Sequence, residues 1–138
     1  MIIQRTREEI ELMRESALIV SKTLGMIASE IKEGVTTLYL DKRAEEFIRD
    51  HGAVPSFLGL YGFPNSLCMS PNSQVVHGIP NNTPLESGDV ISVDCGAFKN
   101  GFHGDHAYSF ENGEVAEETK KLLRITKESL YVGIRELR

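Results

Sequence analysis

The chain has 138 residues, 41% of them apolar, with 15 basic and 20 acidic side chains for a net charge of −5. That suffices for one domain with a real hydrophobic core and excludes a disordered chain or a short disulfide scaffold. No stretch approaches the roughly 18–20 uninterrupted apolar residues of a membrane span, and Met1-Ile2-Ile3-Gln4-Arg5 leads into charges instead of a secretory apolar segment, so a cytoplasmic protein with no membrane partner is expected.

Thr6-Arg7-Glu8-Glu9 has the form of a capping box, in which the hydroxyl accepts from the third helical amide and the Glu side chain from the cap amide. The first helix starts there, and Ile10, Met13, Ala17, Val20, Leu24, Ile27 and Ile31 form one apolar stripe until Gly34 supplies a stop. A second helix is predicted from Thr36 or Thr37, with Leu40, Ala44, Phe47 and Ile48 inward and Gly52 at its end. Between Ala53 and Pro84 loops dominate, and two short apolar runs, Leu67–Met69 and Gln74–His77, are long enough only for strands. Asp89–Phe98 alternates as a strand, Asn100-Gly101 is a two-residue hairpin signal, and Phe102–Phe110 returns. A third helix is predicted from about Val115, carrying Leu122, Leu123, Ile125, Leu130, Ile134 and Leu137 and reaching Arg138 without a stop signal; the expectation is a chain that continues.

Cys68 and Cys95 are too few and too far apart for a zinc knuckle or disulfide framework and are expected to stay free thiols. Eight Lys/Arg precede residue 50 and six follow residue 119, whereas His51–Phe98 contains none and carries Glu86, Asp89 and Asp94. A stretch without cations cannot neutralise phosphates, so DNA is a poor ligand for it, and a metal ion or a substrate ammonium suits it better.

With Asn100-Gly101 as the turn, Lys99 faces Phe102 and Asp94 faces Ala107, leaving Asp94 diagonal to Asp105 on the same sheet face. Such neighbours lie about 5 Å apart when opposed and about 7–8 Å on the diagonal, close enough to raise each other's pKa unless a cation intervenes. Val90, Ile91 and Val93 make the strand too apolar for a free carboxylate. A divalent metal, an unseen basic partner and exposure of one hairpin face are the three ways to compensate it, and oxygen ligands favour hard or borderline ions without choosing among them. Among the histidines, His51 reads as a surface residue at a helix C-terminus, His106 alternates away from the Asp face, and His103 shares that face and is placed to ligate, to support a ligand, or simply to pack. His77 ends a short apolar strand before the turn Gly78-Ile79-Pro80, which would hold its imidazole at the lip of a cleft.

Asn72-Ser73-Gln74-Val75-Val76-His77-Gly78-Ile79-Pro80, Leu85-Glu86-Ser87-Gly88-Asp89, Val93-Asp94 and Gly101-Phe102-His103-Gly104-Asp105, in this order and spacing, resemble type I methionine aminopeptidase. The resemblance implies an α+β chain of two helices, a hairpin-rich sheet and a third helix, about one half of the pita-bread fold, in which two pseudo-symmetric halves enclose a dinuclear metal site. Residues 1–138 would be the N-terminal half of that catalytic domain, with no separate domains. By resemblance Asp94 chelates one metal, Asp105 bridges both, and His77 hydrogen-bonds the scissile amide nitrogen. The segment Phe57-Leu58-Gly59-Leu60-Tyr61-Gly62-Phe63, with Cys68, resembles the wall of the methionine pocket, with Phe57, Leu60, Phe63 and Cys68 as its substrate-binding residues, although Leu60 and Phe63 stand where aromatics, often tyrosine, are expected and Phe57 where a small residue is commoner. Asn72 resembles a backbone contributor to a monovalent-cation loop. The implied cofactors are two divalent ions (Co, Mn, Fe, Zn or Ni), the implied partners are the N-termini of nascent polypeptides, with ribosome association, and the implied activity is removal of the initiator methionine. The family's remaining ligands, one His and two Glu, and a second catalytic His have no counterpart within residues 1–138. Glu111, Glu114, Glu117 and Glu118 read instead as acids favouring a helix N-terminus. The chain alone is therefore expected to be inactive. A non-catalytic pita-bread module that binds peptides or proteins and a prolidase-like peptidase are the competing readings; retention of both Asp argues against the first, and the early start of the first helix against the second.

Overall fold

The computed structural model describes residues 4–137; the expectations for Met1–Ile3 and for Arg138 lie outside the described residues. Helix α1, Arg7–Glu30, begins at the capping box, with Glu9 N donating to Thr6 Oγ1 at 3.2 Å and Thr6 N to Glu9 Oε2 at 2.9 Å. It ends earlier than the Gly34 stop suggests. Ile31 is already extended (ψ 119), because Gly34 N donates to Leu85 O at 2.8 Å and Leu85 N to Val35 O at 2.8 Å, drawing the chain away from the helix axis. The buried face is also rotated from the expected stripe. It comprises Ser16, Ile19, Val20, Thr23, Leu24 and Ile27, whereas Ile10, Met13 and Ala17 are exposed. The cause lies at Ser16, whose hydroxyl donates to Phe102 O at 2.9 Å and seats the helix backbone on Gly104.

Helix α2, Thr37–Asp50, is capped by Thr36 Oγ1, which accepts from Tyr39 N at 3.1 Å, and buries Leu40, Ala44 and Ile48. Phe47 is half-buried, packed on the His51 ring, and His51 Nδ1 lies 2.8 Å from Phe47 O at the helix C-terminus. Four antiparallel strands follow: β1 (Val54–Pro55), β2 (Leu67–Pro71), β3 (Val90–Lys99) and β4 (Phe102–Glu111). Strand β3 is central, pairing with β1 and β2 along one edge and with β4 along the other. Strand β1 has too few residues to announce itself. The run Gln74–His77 is not a strand; Val76 (φ 41) and His77 (φ 50) are left-handed, a conformation that hydrophobic periodicity cannot register.

The hairpin turn has Asn100 at φ 53 and Gly101 at φ 86, and its register pairs Lys99 with Phe102 and Asp94 with Ala107, as expected. Ile91, Val93, Cys95 and Ala97 consequently point together into the core against α1 and α2. The other face of β3 and β4 carries Asp94, Gly96, Phe98, His103 and Asp105. Helix α3, Glu117–Arg135, buries none of its residues, and the apolar side chains expected to pack, Leu122, Ile125, Leu130 and Ile134, are exposed among the described residues. Lys127 Nζ lies 5.3 Å from the centre of the Tyr108 ring.

Asp41, buried on α2, fixes the entry to β2: its Oδ1 accepts from Ser66 N at 2.9 Å and Leu67 N at 2.8 Å, and its Oδ2 from Asn65 Nδ2 at 2.8 Å. Burial pushes its pKa above the ordinary 3.8, outweighing those hydrogen bonds. Replacing it with alanine strands two buried amides, and in urea denaturation Asp41→Ala is expected to lose about 2–3 kcal/mol. Asp41→Asn, which keeps an oxygen, loses less. Because the folded chain takes up this proton more readily than the unfolded chain, the ionised side chain costs nothing below pH 3.8 and its cost grows as pH rises through the folded value. Asp41→Asn should remove that component from the acid limb of the stability profile.

Candidate metal centre

Asp94 sits mid-way along β3, directly opposite Cys68 on β2 and Ala107 on β4, while Asp105 lies opposite Gly96, one diagonal step away on the same face. Burial is the main cause that pushes the Asp94 carboxyl above its ordinary range; the Asp105 carboxylate pushes it further, and His77 and the Cys95 amide pull less strongly the other way. Asp94 Oδ1 is buried and finds no hydrogen-bond partner, and among the described residues no Lys or Arg forms an ion pair with either carboxylate. A basic partner is thus not what compensates the pair here. A divalent ion fits this donor set: two convergent carboxylates with one orphaned oxygen can supply part of a hard or borderline ion's shell. They do not complete it, since no group of three His, Cys, Asp or Glu that could hold a metal occurs among the described residues.

The pair lies in a cleft of about 520 Å³ lined by Phe57, Leu60, Tyr61, Gly62, Phe63, Pro64, Cys68, His77, Ile79, Asp94 and Asp105. The seven residues expected to hold metal or face substrate, His77, Asp94, Asp105, Phe57, Leu60, Phe63 and Cys68, therefore meet in one place, whereas Asn72 and His103 do not line it. His77 is carried to the rim by its own left-handed backbone and not by the end of a strand. Gly78 then packs against β2, donating its N–H to Ser70 Oγ at 3.1 Å and accepting Met69 N at 2.9 Å; a side chain there would run into Met69 O. The opposite rim is a 3-10 turn, Leu60–Gly62, entered through Gly59 (φ 83) and containing Tyr61 (φ 49) and Gly62 (φ 82). Tyr61 and Gly62 line the cleft as part of the segment expected to form its wall, whereas Pro64 and Ile79 were not foreseen as lining residues. The continuity of Pro64 with Phe63 and of Ile79 with His77 was the available signal.

Burial is also the main cause that pushes the Cys68 thiol up to about 11, with Asp94 and Asp105 adding to it, so at neutral pH it is an uncharged part of the wall. His103 is held by Ser56 Oγ, 2.9 Å from its Nδ1, and stacks on Phe98. His106 projects to the helix side, lining a groove of about 170 Å³ with Leu24, Gly25 and Tyr108. Asn72 stands outside the cleft, its side chain donating to Asp89 Oδ1 at 2.8 Å and accepting from Val90 N at 3.0 Å.

Metallopeptidase family M24 matches residues 11–138. The methionine aminopeptidase of Clostridium perfringens is 52% identical over 134 residues, covering 97% of this chain and 54% of the relative. Methionine aminopeptidase 1 of Bacillus subtilis is 47% identical over 136 residues, covering 99% of this chain and 55% of its own length. The chain spans about half the length of the curated relatives it matches. Among solved structures, the crystal structure of methionine aminopeptidase from Rickettsia prowazekii superposes with a TM-score of 0.93 at 35% identity, covering 95% of this chain and 53% of that one. A prolidase from Pyrococcus furiosus, 22% identical with a TM-score of 0.77, covers 90% of this chain and 35% of its own and shares the fold.

Two like charges in a half-buried site oppose folding until a cation joins them. Asp94→Asn is expected to raise the melting temperature of the metal-free chain by roughly 3 °C while weakening Co²⁺ or Mn²⁺ binding in calorimetric titration. A variant that loses stability without metal would show that the pair is already compensated.

Proposed function

The chain belongs to metallopeptidase family M24, and from that premise we propose that it is the N-terminal half of a metal-dependent aminopeptidase that removes the initiator methionine from nascent proteins in the cytoplasm. Its three helices and antiparallel sheet make up about half of the pita-bread fold. The observation that carries the reading is the placement of Asp94 and Asp105, one of them with an orphaned buried oxygen, in an apolar cleft that also holds a single imidazole.

In this reading Asp94 and Asp105 hold two divalent ions. Bound there, such ions supply Lewis acidity, lowering the pKa of water, polarising the scissile carbonyl and receiving the free amine. The protein's own residues do the rest. Phe57, Leu60, Phe63 and Cys68 offer an apolar wall suited to an unbranched thioether side chain, and with Cys68 held as a neutral thiol no extra anion competes for the metals. His77, at the rim, hydrogen-bonds the scissile amide nitrogen and hands a proton to the leaving amine. Its left-handed backbone and the tight seat of Gly78 on β2 fix the main chain from which that imidazole projects. What favours methionine removal over a prolidase-like reaction or a metal-free binding module is the name carried by relatives 47–52% identical to this chain, together with retention of both carboxylates.

Two carboxylates leave a metal mostly hydrated, so the 138-residue chain by itself is expected to bind Co²⁺ or Mn²⁺ weakly and to release negligible methionine from a Met-Gly-type peptide. Joined to the remaining half of the Clostridium perfringens relative, it should release methionine, and Asp94→Asn or Asp105→Asn in the joined protein should lower kcat by at least about a hundredfold. Robust turnover by the unjoined chain would refute the half-site assignment, and release of the first residue only from Xaa-Pro peptides would refute the methionine reading.

A further inference from the structure

We propose that His103 is a positioning residue for the cleft wall: through Ser56 it holds the Phe57 ring over Gly96, beside the two carboxylates, and so sets the width of the pocket that receives the first side chain. The nature of that side chain rests on the aminopeptidase reading; the positioning itself rests on geometry alone.

Strand β1 is only two residues long, and Ser56 is the first residue beyond it, with its N–H donating to Gly96 O at 2.9 Å. From there the chain leaves the sheet toward the left-handed Gly59. Phe57 therefore begins a loop, and a ring at the start of a loop wanders unless something fixes the residue before it. Two contacts do so. Gly96 has no side chain on the cleft face, and a Cβ there would lie 2.8 Å from Phe57 Cε1 and 2.8 Å from Ser56 Cβ, so ring and serine rest directly on the β3 backbone. Ser56 Oγ is then tied to His103 Nδ1 at 2.9 Å, a hydrogen bond reaching across β3 from the β1 edge to β4. His103 is itself fixed, its ring 4.5 Å from that of Phe98, the residue it pairs with.

Gly96 pairs with Asp105 and is two residues from Asp94, so the Phe57 ring covers the backbone between the two carboxylates. Its position determines how much of the cleft beside them stays open. With Nδ1 engaged by Ser56 and the ring stacked on Phe98, His103 serves the wall and not the metal pair.

The geometry is tested in the 138-residue chain by nuclear Overhauser contacts between the Phe57 ring and the Gly96 α-protons. They should be strong in the parent, lost in His103→Ala and in Ser56→Ala, and kept in His103→Asn, whose amide reaches the position of Nδ1. In the joined protein His103→Ala and Ser56→Ala should raise KM for Met-Ala-Ser about five- to tenfold and narrow its preference over Leu-Ala-Ser, with kcat changed by less than about twofold and Co²⁺ affinity unchanged; His103→Asn should restore both. Contacts that persist in His103→Ala overturn the proposal, as does a fall in kcat or in Co²⁺ affinity, which would place His103 at the metals. A joined parent that releases no methionine defeats the aminopeptidase reading instead, and the contacts in the unjoined chain still decide the positioning.

Discussion

The register of the β3–β4 hairpin is the constraint on which the core and the candidate site both depend. Asn100 and Gly101 both adopt positive φ, the condition of a two-residue turn whose twist matches the strands it joins. That turn opposes Lys99 to Phe102, and every later pairing follows, to Val90 opposite Glu111. Side chains alternate between faces, so a slip of one residue would turn β4 over relative to β3. Asp105 would then face α1 and α2, where Ile91, Val93, Cys95 and Ala97 are completely buried. One local turn thus keeps carboxylates out of an apolar core and keeps the two of them together on the opposite face.

Two glycines on neighbouring rungs of that ladder bring other parts of the chain against it from both sides. Gly104, opposite Ala97, admits the α1 backbone, and a Cβ there would lie 2.5 Å from Ala17 N. Gly96, opposite Asp105, admits the Phe57 ring from the cleft side. The sheet is clamped between a helix and an aromatic ring next to the carboxylate pair, where positional accuracy matters most to a metal site. Asp41 completes the frame by fixing the segment that leads into Cys68, using hydrogen bonds to backbone that β-pairing alone would not satisfy.

The features legible in the amino-acid order were those whose cause is local. The Thr6 capping box, the start of the second helix at Thr36 or Thr37, the hairpin turn and the shared face of Asp94 and Asp105 each follow from residues within one turn or one strand pair. What escaped depends on distant partners. The buried face of α1 is set by a contact of Ser16 with β4, 86 residues away, so the apolar spacing of Ile10 and Met13 pointed to the wrong face. Gln74–His77 looks like a strand because valines favour extended backbone, but the seat of Gly78 on Met69 and Ser70 imposes left-handed residues just before it. The Ser56–His103 bond spans 47 residues and had no local signature. The motif around His77 located the imidazole correctly at a cleft while its backbone conformation was misjudged, because a position is conveyed by the sequence neighbourhood and a dihedral angle by the packing.

The cleft is electrostatically lopsided in a way that bears on what it is for. Cys68 borders the pair on β2, and burial holds it as a neutral thiol, pushed up to about 11, whereas Cys95, pushed up to about 12, faces the core on the other side of β3. The remaining wall is aromatic or aliphatic, apart from His77. Negative charge is confined to two adjacent carboxyls, Asp94 half-buried and Asp105 exposed, in otherwise neutral surroundings, and at Asp94 burial strengthens both the repulsion and the attraction for a cation. A peptide-binding module without a metal would gain nothing from that arrangement, since a hydroxyl or amide at either position would bind peptide backbone without the repulsion. In the aminopeptidase reading proposed above, a site that concentrates charge at a cost to its own folding would be organised for an ion that arrives afterwards, and the apolar wall beside it for the side chain that arrives with the substrate.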